Sequence, residues 1–211
     1  MCGHMHVNPQ NQHIWVLWNS NISVDLIETS DQYVTTIVTA GSSNFFMFYM
    51  NCDTHVRESL CKNFGLFNPR ESPWFLVGDF NIVADLKEKK GRGDIPRKSS
   101  YVFVSFMARS GLLDMGYTRD YFIWCNNLKG DLRTWCRLDQ CLPNFHAVST
   151  YPYAKETHHV RSLLDHSLLS VTFSTMNNHG MRFSFSHQWI NTLGYNDVVR
   201  EYWGKPAQGT A

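Results

Sequence analysis

Three short segments of the chain carry side chains that could act together on a phosphate ester. Gly78-Asp79-Phe80-Asn81 places a carboxylate and an amide two residues apart, Arg137-Leu138-Asp139 supplies a second carboxylate, and Asp165-His166-Ser167 adds a carboxylate and an imidazole. Such oxygen ligands suit a hard divalent cation such as Mg²⁺, which keeps several waters and needs few carboxylates. A histidine beside it can stabilise charge on phosphate oxygens or exchange a proton with water, and a carboxylate behind the histidine fixes its tautomer.

Each segment also has an ordinary structural explanation when it is considered alone. Asp79 could cap the next element, Asp139 could be a structural neighbour of Arg137, and His166 could lie on the surface. The chemistry therefore depends on whether the fold brings the three segments to one edge of a sheet.

The first segment ends an apolar run that predicts a buried strand. Residues 73–77 are Pro-Trp-Phe-Leu-Val, and Gly78 follows them. A continuous apolar run of this kind is typical of a strand inside an α/β sheet. We expect Asp79 and Asn81 to emerge at its carboxyl end, where open α/β sheets bind ligands, and to point the same way because they are two residues apart.

Other elements follow from the spacing of apolar residues and turn residues. Upstream, the pattern predicts an antiparallel meander and then an amphipathic helix, over Ile14–Trp18, Ser23–Ile27, Tyr33–Ala40, Asn44–Met50 and Cys52–Phe67 respectively. Downstream, it predicts a helix from an N-cap at Ser99 or Ser100 to Ser110. Short strands or bends are predicted at Leu112–Met115, Tyr121–Trp124 and Asp139–Leu142, and an apolar strand at Leu168–Phe173. The core face of that helix is predicted to be Val102, Phe103, Phe106 and Met107.

Composition limits the class of protein. The chain has 211 residues, of which 43 % are apolar and 14 % aromatic, so a single domain with a real core is expected. The net charge is only +1, and no apolar run approaches the length of a membrane span. The six cysteines form no CxxC pair and the first residues do not form a signal peptide, which predicts an intracellular protein with reduced thiols. Residues 1–13 are predicted to be disordered or irregular.

One local basic cluster stands out against the nearly neutral chain. It lies just after the first segment and contains Lys87, Lys89, Lys90, Arg92, Arg97 and Lys98. A charge run is usually a solvated loop. Beside a candidate active site, contact with a phosphate backbone is the better explanation.

Taken in order, the motifs resemble a known family. The series is Trp74 to Asn81, Gly111-Leu112-Leu113-Asp114-Met115-Gly116-Tyr117, Tyr121 to Asn127, Arg137 to Leu142, and Leu164-Asp165-His166-Ser167. It resembles the endonuclease/exonuclease/phosphatase superfamily, and within it the apurinic-type endonuclease domain of plant LINE-type (non-LTR) retrotransposon polyproteins. The resemblance covers roughly Ile14 to Trp203.

The resemblance implies a DNase I-like four-layer α/β sandwich of two packed mixed sheets with flanking helices. It also implies Mg²⁺ (or Mn²⁺) and nicking of target DNA by phosphodiester hydrolysis. By motif position, Asp79 would activate or position water, and Asn81 would hold the phosphate or Asp79. His166 would contact the scissile phosphate. The remaining roles would fall to Asp139, which orients His166, to Asp165, a metal or water ligand, and to Tyr49, a strand-end residue that reaches the phosphate.

The chain departs from the family pattern in ways that predict impaired activity. The family's first strands, with an Asn and then the main metal-ligand Glu, have no counterpart in residues 1–13. We therefore expect a partial domain over residues 14–174 that binds Mg²⁺ weakly and exposes a sheet edge. Smaller departures are Leu164 for Ser, Leu168 for Pro, Gln140 for Arg and Cys125 for Ser.

Two functions remain open from the sequence. One is an impaired, monomeric DNA endonuclease of the nucleus or cytoplasm. The other is a non-catalytic retroelement remnant that binds nucleic acid weakly through the basic cluster. A phosphomonoesterase or lipid phosphodiesterase is disfavoured by the segments at 111–117 and 121–127. Residues 175–211, with an amphipathic stretch from Trp189 to Trp203, are predicted to be a linker toward a reverse transcriptase.

Overall fold

A computed structural model describes residues 3–38, 43–64, 72–95, 97–161, 164–174 and 195–203. The chain divides into two compact units, Met1–Met176 and Asn177–Ala211. Parts of four predictions lie outside the described residues: positions 1–2 of the irregular N-terminal segment, 39–40 of one strand, 65–67 of the first helix, and 175–194 and 204–211 of the linker.

The first unit alternates short strands with three helices. Its strands are β1 His4–Val7, β2 Trp15–Trp18, β3 Val24–Thr29, β4 Tyr33–Val38, β5 Ser43–Tyr49, β6 Trp74–Asp79, β7 Lys89–Lys90, β8 Thr118–Arg119, β9 Trp124–Cys125, β10 Trp135–Cys136, β11 Asp139–Pro143, β12 Lys155–His158 and β13 Leu169–Thr172. Its helices are α1 Thr54–Asn63, α2 Arg97–Ser110 and α3 Phe145–Thr150. In the second unit the described residues form helix α4, Tyr195–Trp203, within the predicted amphipathic stretch.

A mixed five-stranded sheet in the order β11-β6-β5-β4-β3 is the centre of the first unit. Strands β3, β4 and β5 pair antiparallel, as the meander prediction required, but β2, the first strand of the predicted meander, pairs with β1 instead. Strand β6 then pairs parallel to β5 after a crossover through α1, and β11 closes the sheet antiparallel to β6. The α/β class predicted from the sequence is therefore confirmed.

Strand β6 is apolar throughout because both of its faces are covered. Trp74 and Leu76 belong to a core with Phe64, which caps the C-terminus of α1, and with Phe103 of α2. The alternate residue Phe75 belongs to a second core with Cys141 and Ala147. Val171 of β13 packs against this second core, so α1 and α2 lie on one face of the central sheet, and α3 and β13 lie on the other.

Two three-stranded sheets complete the first unit and carry the loops around the site. One has the order β7-β10-β9 and the other β13-β12-β8, while β1 and β2 form a separate hairpin. No helix of the described residues is long and apolar enough to cross a membrane.

Several element predictions were wrong in detail. Residues 4–7, predicted to be irregular, form β1 because their backbone pairs with β2. Helix α2 begins at Arg97, two residues before the earlier of its two predicted N-caps. Leu112–Met115 forms no strand, and Leu112 makes an isolated bridge to Asn144. The predicted core face of α2 is confirmed, since Phe103 and Phe106 are buried with Val102 and Met107 against them.

Candidate active site

Three of the predicted site residues lie in one row across the central sheet. Asp79 is the register partner of Tyr49 on parallel strand β5 and of Asp139 on antiparallel strand β11. Directly paired residues point to the same face of a sheet. The sheet therefore brings together Tyr49, Asp79 and Asp139, although they lie far apart in sequence.

The backbone around Asp79 has a shape that few sequences can adopt. Gly78 has φ +143°, and a Cβ atom there would lie 2.0 Å from the carbonyl oxygen of Phe48. Only glycine lets β5 and β6 approach so closely at this position.

Asn81 does not continue the strand, which corrects the prediction that it points the same way as Asp79. Strand β6 ends at Asp79, and Asn81 adopts a left-handed φ of 50°. Its N–H donates to Asp79 Oδ1 over 2.8 Å, and its Nδ2 donates to the carbonyl oxygen of Met50 over 2.7 Å. The turn places Asn81 beside the Asp79 carboxylate rather than parallel to it.

His166 reaches the row from another part of the fold. Its segment pairs with β9: the N–H of Cys125 donates to Asp165 O over 2.9 Å and the N–H of Ser167 donates to Ile123 O over 2.7 Å. The imidazole Nδ1 lies 2.8 Å from Asp139 Oδ2, a distance at which Nδ1–H donates to the carboxylate. The other ring nitrogen, Nε2, lies 3.8 Å from Asp79 Oδ2.

The geometry of the site raises the pKa values of both Asp79 and His166. Burial and the nearby charge of Asp139 raise the pKa of Asp79 from 3.8 to about 6. Burial alone would lower the pKa of His166, but the hydrogen bond and negative charge of Asp139 outweigh it, so this pKa is raised above 6.5. The arrangement can therefore hold an imidazolium between carboxylates and keep Asp79 poised to exchange a proton near neutrality.

Tyr49 and Asp165 lie at the border of the cluster formed by Asp79, Asp139 and His166. The ring of Tyr49 stacks on His13 with centroids 4.9 Å apart, and burial is the main cause of its raised pKa, followed by the charges of Cys52, Asp79 and Asp165. Asp165 is exposed, and its negative charge acts on both Tyr49 and His166.

A buried ionic network beside the site was missed by the sequence analysis. Arg137 is only 2 % exposed, and its guanidinium donates to Asp114 through two bonds of 2.6 and 2.8 Å and to Glu88 over 2.9 Å. Glu156 lies 3.6 Å away and also contacts His158 Nε2 at 2.6 Å. The Arg-Leu-Asp motif was the available signal, because a basic residue next to a site carboxylate requires partners when it is buried.

Five of the six residues of the predicted basic cluster lie in three elements, and the sixth, Arg92, lies in an exposed bend after β7. Lys87 lies in a 3₁₀ turn at Leu86–Glu88, Lys89 and Lys90 form β7, and Arg97 and Lys98 begin α2. Lys89 lines a cavity of about 140 Å³ together with Asn81. Lys98 is largely exposed, with Nζ 3.8 Å from Glu58. The structure thus brings Lys89 next to the site and leaves the other members along the surface beside it.

The described residues contain no group of three His, Cys, Asp or Glu side chains that could hold a metal ion. A Mg²⁺ ion that keeps its waters can bind through one or two carboxylates and the phosphate of a substrate. The exposed carboxylate of Asp165 fits that minimal role, whereas a closed cage of protein ligands is not formed by the described residues.

No protein-family model matches the chain, and no curated protein matches it either. Solved structures do match. The endonuclease domain of TRAS1, a telomere-specific non-LTR retrotransposon, superposes with a TM-score of 0.54 at 12 % identity over 77 % of this chain and 74 % of that one. A variant of the 3′ phosphatase NExo from Neisseria, bound to product DNA hairpin, superposes with a TM-score of 0.55 at 13 % identity over 76 % of this chain and 74 % of that one.

An AP endonuclease from Archaeoglobus fulgidus gives a TM-score of 0.53 at 13 % identity over 74 % of this chain and 71 % of that chain. These neighbours are members of the endonuclease/exonuclease/phosphatase superfamily, and one is a retrotransposon endonuclease. At such low identity the similarity concerns the fold, and it confirms the predicted DNase I-like α/β architecture.

Proposed function

We propose that this chain hydrolyses phosphodiester bonds and nicks DNA. The observation that carries the proposal is the Tyr49–Asp79–Asp139 row with His166 hydrogen-bonded to Asp139. It lies in a fold whose solved neighbours include endonucleases and a 3′ phosphatase bound to a DNA hairpin.

In the proposed reaction, Asp79 accepts a proton from the attacking water. A pKa of about 6 suits this role, because a general base works best when its pKa lies near the working pH. The water oxygen bonds to phosphorus while the bond from phosphorus to the leaving oxygen breaks, and the electrons of that bond stay on the leaving oxygen. Asn81 holds Asp79 in place through its N–H.

His166 stabilises the phosphate as negative charge develops on its oxygens. Asp139 accepts the Nδ1–H bond, which orients the ring and favours the protonated form. Tyr49, at the end of β5 beside Asp79, contacts a phosphate oxygen through its hydroxyl group.

Asp165 would hold Mg²⁺ or Mn²⁺ together with waters and the phosphate. When bound, the cation polarises the phosphate and offsets its charge. Because the described residues form no three-ligand group, we expect weak affinity for the ion and slow nicking. This is the basis for expecting an impaired enzyme.

The proposal is tested by nicking of supercoiled plasmid in Mg²⁺ and, separately, in Mn²⁺. We expect slow nicking by the unmodified chain and its loss in His166→Ala. His146→Ala is the matched control, because His146 is exposed on α3 away from the site segments. Equal nicking by His166→Ala and the unmodified chain would contradict the proposal.

A non-catalytic DNA-binding function is the second candidate, and it is favoured by the same lack of a three-ligand group among the described residues. It predicts DNA binding without nicking in either ion. Each phosphate contact contributes about 0.9 to the slope of log K against log salt. Replacing Lys87, Lys89 and Lys90 by Gln should therefore flatten that slope by up to about 3, whereas the exposed control Lys155→Gln should not. An unchanged slope in the triple variant would exclude the basic cluster from binding.

We further propose that the chain derives from a plant LINE-type element, worked next to a reverse transcriptase, and is monomeric. The retrotransposon endonuclease among the structural neighbours supports the origin of the domain. Light scattering coupled to gel filtration tests the last point, and a dimer mass would contradict it.

A further inference from the structure

Residues 164–167 form a turn that carries Asp165 and His166, and this turn is held to the rest of the fold at several points. Just outside the turn, the N–H of His159 donates to Leu168 O over 2.9 Å. The centre of the turn is tied to β9 through the Cys125–Asp165 and Ser167–Ile123 bonds. These backbone bonds fix residues 165 and 167, and none of them involves Leu164.

The side chain of Arg161 contacts the turn at Leu164. Its Nη1 donates to the carbonyl oxygen of Leu164 over 3.1 Å, so the guanidinium bridges the start of the turn. The same nitrogen also donates to Asn127 Oδ1. Hydrogen bonds from a charged donor are roughly twice as strong as neutral ones, so this bridge is a significant restraint on the turn.

The far side of Arg161 is anchored on strands that pair with the turn. Its Cζ lies 5.1 Å from the centroid of the Trp135 ring, within the range of a cation–π contact. Trp135 is the register partner of Cys125, and Cys125 is the residue that donates to Asp165. Asn127, two residues beyond Cys125, has a left-handed φ of 58°, and its N–H donates to Cys125 Sγ over 3.4 Å. Arg161 therefore joins the start of the turn to the two strands beside it.

We propose that Arg161 is a positioning residue for His166. By fixing Leu164 against Asn127 and Trp135, it keeps the turn in the arrangement in which His166 meets Asp139 and Asp79. The consequence for nicking depends on the proposed function, but the effect on the turn does not.

Arg133 provides a matched control, because it contacts the same tryptophan ring as Arg161. Its Cζ lies 5.8 Å from the same Trp135 ring, and its Nε donates to Leu128 O over 2.8 Å. Its backbone N–H donates to Gly130 O over 3.1 Å, and none of Leu128, Gly130 and Trp135 belongs to the turn. Arg133→Ala thus removes the same charge and the same kind of ring contact as Arg161→Ala while leaving Leu164 bonded as before.

The first test is amide hydrogen exchange followed by NMR at Cys125 and Ser167, whose N–H groups report the bonds between β9 and the turn. We expect Arg161→Ala to speed exchange at both positions by about tenfold, because the turn loses its charge-assisted bond at Leu164 O, and Arg133→Ala to leave both rates unchanged. Arg161→Lys should give an intermediate rate, because a lysine can reach one acceptor but lacks the planar fork of arginine. Unchanged exchange in Arg161→Ala would overturn the proposal.

The second test separates positioning from contact with DNA. If the chain nicks DNA, Arg161→Ala should lower kcat about tenfold with KM close to that of Arg133→Ala. An equal rise of KM in both variants, with kcat unchanged, would show that the two arginines bind the DNA backbone and would overturn the positioning role. If the unmodified chain does not nick, the proposed function fails, and the exchange measurement still decides the role of Arg161.

Discussion

Replacing Asp79 by Asn should make the protein more stable at neutral pH. The pKa of Asp79 rises from 3.8 to about 6 on folding, because the carboxyl group is buried and faces Asp139. A change of one in a pKa corresponds to about 1.4 kcal/mol, so ionised Asp79 costs the fold up to about 3 kcal/mol at pH 7. An Asn side chain removes that charge and keeps an oxygen that can accept the Asn81 N–H bond. The pKa of about 6 already includes the attraction of Asp79 to His166, so we expect a gain of up to about 3 kcal/mol.

The sign of the pH dependence gives a second, independent check. Because the folded state holds the proton of Asp79 more tightly than the unfolded state, Asp79 makes stability fall as pH rises from 3.8 to about 6. Urea denaturation of the metal-free protein at several pH values should show this fall in the free energy of unfolding for the unmodified chain. The fall should be absent in Asp79→Asn. Asp165→Asn is the control, because it removes an exposed carboxylate from the same site. If Asp79→Asn is less stable than the unmodified chain at pH 7, the argument that burial raises this pKa is refuted.

Three more predictions follow from the same contacts. Arg137→Met should lower the free energy of unfolding in urea by about 3–5 kcal/mol because it leaves buried carboxylates without their cation; a loss below about 1 kcal/mol would show that they remain solvated. Gly78→Ala should cost more than about 2 kcal/mol in the same assay, since its Cβ would meet the Phe48 oxygen, whereas Gly116→Ala, with nothing within 4 Å, tests the cost of positive φ alone. If nicking occurs, kcat/KM should rise with pH as Asp79 ionises near 6 and fall again once His166, whose pKa is raised, loses its proton; a profile that is flat between about pH 5 and about pH 9 would exclude these roles.

The sequence was informative where one physical requirement determined the residue types. Strand β6 must be apolar on both faces, so the run from Trp74 to Val77 identified it. Strand β12 was missed because its residues, Lys155-Glu156-Thr157-His158, show no apolar pattern. Glu156 and His158 are nevertheless buried, since each finds a partner from a distant segment. The spacing of residues along the chain cannot show that a buried polar side chain finds its partner in a segment distant in sequence.

The candidate site, too, was predicted from the sequence only in part. The motifs pointed to Asp79, Asp139 and His166, and the structure brings these three side chains together. The orientation of Asn81 was wrong because the sequence does not show where a strand stops and a left-handed turn begins. Arg161 was overlooked because its partners, a backbone carbonyl and a tryptophan ring, leave no pattern of spacing.

The buried network explains how two carboxylates can face each other in the row. Asp79 and Asp139 are register partners, and burial together with the charge of Asp139 raises the pKa of Asp79, so Asp139 disfavours the ionised form of Asp79. Strand β11 would relieve this repulsion by shifting, but it is held on both sides of Asp139. The N–H of Arg137 donates to Glu88 O over 2.9 Å, and the N–H of Cys141 donates to Glu156 Oε2 over 2.8 Å. Since the Arg137 guanidinium bonds Glu88 and lies within 3.6 Å of Glu156, the backbone on each side of Asp139 is tied to one buried ionic cluster. The position of Asp139 in the row is therefore held by contacts that lie outside the site.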